Sequence, residues 1–153
     1  MEELLQEAKE ELKRVDHLVF VSLKYTRTVD VIKSVINRLI ESQDRMVASL
    51  LEYEKQKKKI ESYPISPGQR LEFLKSLYHD KTEIAEYLQF HSLLRKIMRM
   101  PYTKREEYRR NVTMTVSVDN ETIDINIDQL RVYYDKAKEF LQLTQKIIKG
   151  END

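Results

Sequence analysis

Residues 112–127 read VTMTVSVDNETIDINI, and the period of their apolar positions decides how the rest of the chain is organised. Val112, Met114, Val116 and Val118 alternate with Thr113, Thr115 and Ser117, and Ile123, Ile125 and Ile127 alternate with Asp124 and Asn126. Strict alternation sends successive side chains to opposite faces of a strand, so this stretch is expected to form a β-hairpin with one apolar face. The two apolar sets share that face only if the loop holds an even number of residues, because an odd loop flips one strand. Asp119-Asn120 and Asp119-Asn120-Glu121-Thr122 both satisfy this parity.

Outside the hairpin the period is helical. Leu4, Leu5, Ala8, Leu12 and Val15 recur at the spacing that lines one helix face, and the pattern continues through Leu18, Val19, Leu23, Val29, Ile32, Ile36 and Leu39 to Ile60 without Gly or Pro. A helix of that length is unusual in a globular domain, so a break is expected. It falls either at Thr26 to Thr28, where hydroxyls compete for backbone bonds, or at Ser42 to Asp44, which can cap a new helix.

Tyr63-Pro64-Ile65-Ser66-Pro67-Gly68 is a loop, since residues before proline are driven out of the helical region. Ser66, Pro67 and Gln69 then form an N-cap, first position and capping box. Asp80 with Glu83 repeats the signature for a helix ending near Met100, and Thr103 with Glu106 repeats it for a short helix to about Arg110. Asp128 is placed to cap a last helix over 129–149, whose stripe runs from Leu130 through Tyr133, Ala137, Phe140 and Thr144 to Ile148 before Gly150. The expected fold is mainly α, a single helical domain over 1–153. It is a bundle of about five to six helices with one β-hairpin (112–127) before a long C-terminal helix.

The 153 residues are 41% hydrophobic, enough for a continuous core without disulfides or metals. Lys plus Arg number 27 against 26 Asp plus Glu, a net charge of +1, so any electrostatic function must be local. The absence of cysteine excludes disulfides, thiolate metal sites and a cysteine nucleophile, and suits a reducing cytoplasm. The acidic start, Met1 to Gln6, is not a secretory signal, and no run approaches the ~18 apolar residues of a membrane span. A charged fraction of 35% with few glycines resembles thermophile composition.

His17, His79 and His91 form no helical pair with metal-ligand spacing, so no metal is expected. Gly68 and Gly150 are too far apart for a phosphate loop or a nucleophile elbow. No carboxylate pair is singled out, so no catalytic residue and no cofactor are assigned. Two surfaces stand out. Arg95, Lys96, Arg99, Lys104, Arg105, Arg109 and Arg110 face only Glu106 and Glu107 in sequence, with Tyr102 and Tyr108 among them. Basic residues interleaved with aromatics neutralise phosphates and stack bases, whereas the blander alternative is a solvated face whose cations pair with acids elsewhere. Tyr25, Arg27 and Asp30 are polar within an apolar stretch and suit the lining of a groove.

The element order helix, helix, short helix, hairpin, long helix resembles a winged helix followed by a dimerisation helix, which implies a DNA-binding regulator with the hairpin as wing. Asp119, Glu121 and Asp124 depart from that pattern, because a wing that touches phosphate is not acidic. The helical content is also similar to that of HEPN domains, which include RNases and nucleotidyltransferase partners. Their ribonuclease signature, an Arg followed after four to six residues by His, is not met. Arg14 lies too close to His17, Arg70 too far from His79, and no Arg stands at that interval before His91.

An isolated hairpin is marginal in water, so its apolar face must be covered by the chain's own helices or by a second copy. The first expectation is therefore a non-enzymatic, self-associating cytoplasmic module, a homodimer that presents a helical surface to a protein partner. The second is a nucleic-acid-binding protein using the basic segment 95–110, and the third a HEPN-like nuclease or transferase partner using Tyr25, Arg27 and Asp30.

Overall fold

The structure, a computed structural model, describes residues 1–150. It is mainly α, with five helices and a small three-stranded antiparallel sheet before the long C-terminal helix. Helix α1 (Glu2–His17) buries Leu5, Ala8, Leu12 and Val15 against α2 (Val29–Gln56). Between them the chain widens into one π-helical stretch, Leu18–Ser22, and a short turn, Leu23–Tyr25. Val15, Val19 and Leu23 are buried at intervals of four, and in an α-helix each such step overshoots the turn by about 40°. The wider π turn corrects the drift and keeps all three facing the core.

Of the two expected breaks the structure has the first. Thr28 is extended and its Oγ1 accepts from Val31 N at 3.3 Å, opening α2. Ser42 caps nothing: its Oγ donates to the Leu39 carbonyl at 2.9 Å, and Gln43 Nε2 donates to the same carbonyl at 3.1 Å. Polar side chains that bond to their own helix survive inside it, so α2 runs through. It ends where Lys58 turns to φ 62°, with Lys59 N bonded back to Glu54 O at 3.0 Å.

The loop before Pro67 is as expected, and Ser66 Oγ accepts from Gln69 N at 3.3 Å at the start of α3 (Pro67–Leu77). Helix α4 (Thr82–Arg99) begins after Lys81 with no side-chain cap, so the expected capping role of Asp80 is not realised. The largest correction follows. The short helix expected from Thr103 is instead strand β1 (Tyr102–Arg105), paired antiparallel with β2 (Thr113–Val118) from Tyr102↔Val116 to Arg105↔Thr113. Pro101 holds Met100 extended (φ −90°, ψ 149°), and Glu106 and Tyr108 take left-handed φ of 58° and 70°. A ready-made partner strand satisfies this backbone better than one isolated helical turn, because local capping signals are weak beside a ladder.

Strand β3 (Glu121–Ile125) completes the sheet in the order β1-β2-β3. The shorter of the two even loops is present: Val118 pairs with Glu121, and Asp119 and Asn120 both have positive φ (52° and 68°). That is the type I′ geometry, whose twist matches the flanking strands. Val112, Met114, Val116, Val118 and Ile125 are buried, covered by α2, α4 and the last helix, α5 (Ile127–Gly150). The chain's own helices thus supply the cover that the hairpin requires. Asn126, not Asp128, caps α5 by accepting from Gln129 N at 2.9 Å. Phe140, fully buried in α5, stacks on Tyr87 of α4 with ring centroids 5.5 Å apart. No helix among the described residues is long and apolar enough to cross a membrane.

Candidate nucleic-acid interface

The basic segment 95–110 does not form one continuous strip, because it is divided among α4, β1 and the loop after it. Arg95 is half-buried and donates through Nη1 to both oxygens of Asp44, at 2.9 and 3.1 Å. Asp44 also accepts from His91 Nε2 at 2.8 Å. Lys96 pairs with Asp119 at 3.3 Å, Lys104 with Glu107 at 3.2 Å and Arg109 with Glu106 at 3.6 Å. Arg105 reaches Asp124 at 3.1 Å and Thr115 at 3.2 Å. The hydrogen bonds from Thr115 and Arg105 hold the Asp124 carboxyl below the usual carboxylate range. Tyr102 lies under Lys33, whose Nζ is 4.6 Å from the ring centroid. Arg99 and Arg110 have no partner among the described residues.

Arg110 belongs to a different assembly. The loop after β1 docks on the break before α2: Tyr108 N donates to Arg27 O at 2.7 Å, and Glu107 Oε2 accepts from Val29 N at 2.9 Å. The Val29 bond, and then Lys104, keep the Glu107 carboxyl below its ordinary range. This docking brings Arg110 to Arg27, whose Nε donates to Leu23 O at 3.3 Å. The start of α5 closes the third side with Arg131.

The result is a cleft of about 250 Å³ floored by Val19 and Leu23. Lys24, Arg27, Arg110 and Arg131 line it, with Asn111 and Asn126, against the single acid Asp128. Asp128, the only acid on that wall among the described residues, stands 3.9 Å from Arg131, whose guanidinium lies 5.2 Å over the Phe20 ring. Four cations gathered in one groove with a single acid repel one another at a cost that a bound anion relieves. Two aromatics project from the same segments, Tyr25 (84% exposed) and Tyr108 (79% exposed).

No protein-family model, curated protein or solved structure matches this chain.

The structure therefore joins Arg27 and Arg110, from two separately predicted sets, and adds Lys24 and Arg131, which sequence reasoning passed over. Arg131 carries one signal: a cation near the N-terminus of a helix opposes the dipole and calls for another reason to be there. Asp30 is exposed and does not line the cleft, so Tyr25, Arg27 and Asp30 share no pocket. Among the described residues, no group of three or more His, Asp or Glu is arranged to hold a metal ion.

Proposed function

We propose that this chain is a cytoplasmic single-stranded nucleic-acid-binding protein whose cleft of Lys24, Arg27, Arg110 and Arg131 takes backbone phosphates. The carrying observation is the convergence of four cations from three chain segments beside one acid. Tyr25 and Tyr108 supply stacking surfaces for bases; such stacking tolerates any base and contributes about 1–3 kcal/mol per base. Binding to a labelled oligouridylate, followed by fluorescence anisotropy, is expected to weaken with salt. A slope near −3 in a plot of log K against log salt corresponds to about four neutralised phosphates on a single strand. Absence of binding at low salt, or binding indifferent to salt, contradicts the reading.

Self-association is the second reading. The hairpin face that would call for a partner is covered within the chain. What favours it is the outer edge of β1, unpaired in the order β1-β2-β3, with all four side chains exposed. An open edge is a template for a second copy. Light scattering after size exclusion at high concentration is expected to give a dimer under this reading, and a strict monomer removes it.

A further inference from the structure

A second cleft, larger than the first, lies between α3 and α4, and its volume of about 630 Å³ is in the range of small-molecule sites. Ser92, Arg95, Lys96 and Arg99 recur at three- and four-residue intervals and so line one face of α4. Gly68, Leu71, Glu72 and Lys75 do the same on α3. The walls therefore carry four cations against Glu72, which is 3.5 Å from Lys75. Lys96 reaches across to Asp119 at the hairpin tip, so this cleft sits at the tip end of the sheet, away from Arg110 and Asn126.

Three details go beyond charge. Asp44 fixes Arg95 through Nη1 alone, so Nη2 is held in place with no partner among the described residues. Gly68 does not have positive φ, and its backbone does not require glycine. A Cβ at Gly68 would lie 3.8 Å from Arg95 Nη2, an ordinary van der Waals contact, so glycine leaves that side of the nitrogen open. Ser92 also lines the cleft, and its Oγ is buried with no hydrogen-bond partner among the described residues.

We propose that this cleft binds a small phosphate monoester, with the phosphate among Arg95 Nη2, Arg99 and Lys75. A phosphate carries close to two negative charges and three strong acceptor oxygens, which matches several cations from two helices better than a carboxylate does. The remaining volume, over Leu71, receives the organic part. This site is independent of the nucleic-acid cleft.

The test is a titration of the full chain, followed through backbone amide NMR shifts, with ribose 5-phosphate, inorganic phosphate and ribose at constant ionic strength. Saturable shifts at Gly68, Gln69, Ser92 and Arg99 with the ester, tighter than with inorganic phosphate and absent with ribose, are expected. Arg99 is exposed and has no partner among the described residues, so Arg99→Glu is expected to leave the amide spectrum otherwise intact while weakening the ester about tenfold or more. Gly68→Val is expected to weaken it as well by crowding Arg95 Nη2. No saturable shift, equal affinity for inorganic phosphate, or unchanged binding in folded Arg99→Glu would overturn the proposal.

Discussion

The backbone N–H of Tyr108 donates to the carbonyl of Arg27 at 2.7 Å, and this one bond joins two parts of the chain that sequence places far apart. Beside it Glu107 accepts from Val29 N, so the loop that carries Arg110 is fixed against the break that carries Arg27. The cationic cleft depends on this docking.

Glu107→Ala tests that dependence with a sign opposite to simple electrostatics. Deleting an acid near a cationic cleft should by itself strengthen phosphate binding. The docking role predicts the reverse: with Val29 N unpaired the loop loosens, and affinity for oligouridylate falls several-fold in anisotropy. Tighter binding by this variant would show that Glu107 acts only as a charge.

His91 predicts a pH dependence of stability. The imidazole is fully buried, and burial, the largest influence, holds its pKa below the usual histidine value despite the bond to Asp44. The Asp44 carboxylate only accepts, so neutral His91 carries its hydrogen on Nε2 and leaves Nδ1 without a partner among the described residues. The unfolded chain, with an ordinary histidine, binds the proton more readily. Stability is thus full above about pH 6.5 and falls as pH drops through that value towards the lowered folded pKa. The melting temperature should decline over this interval, and His91→Gln should flatten the decline relative to the parent.

Asp44 holds two partners, so Asp44→Asn removes an ion pair and leaves Arg95 half-buried without its counter-charge. Losing one member of such a pair costs more than the pair contributes, and a loss of about 2–4 kcal/mol is expected in urea denaturation. A loss under about 0.5 kcal/mol would mean that Arg95 simply turns to solvent.

At the hairpin tip, Asn120 sits at φ 68°, where only glycine is free of strain. Asn120→Gly is expected to be neutral or stabilising by about 0.5 kcal/mol, and Asn120→Ala to cost about 1 kcal/mol. Equal effects of the two changes would rule out the type I′ turn.

The helices and the hairpin were legible because each rests on a period: four-residue recurrence in α1, α2 and α5, and alternation from Val112 to Ile127. Parity reduced the loop to two choices, and the left-handed tolerance of Asp119 and Asn120 selects the shorter. Strand β1 was not legible, since all four residues from Tyr102 to Arg105 are exposed and no buried face imposes a pattern. Its pairing with β2 is a long-range contact that overrides the Thr103 capping signature. The candidate cleft was half legible. Arg27 and Arg110 stood out as polar or basic residues; Lys24, three residues before Arg27, was passed over, and Arg131 reaches them only through packing of the π-helical stretch on α5.

The most direct measurement of the central claim compares two charge reversals for oligouridylate affinity by anisotropy, with circular dichroism confirming that both fold. Arg27 and Arg110 line the cleft, whereas Arg105 and Arg109 are matched by Asp124 and Glu106 outside it. Arg27→Glu with Arg110→Glu is predicted to abolish binding, and Arg105→Glu with Arg109→Glu to weaken it by less than about tenfold. Binding that survives the first pair, or is lost equally in both, would contradict the account.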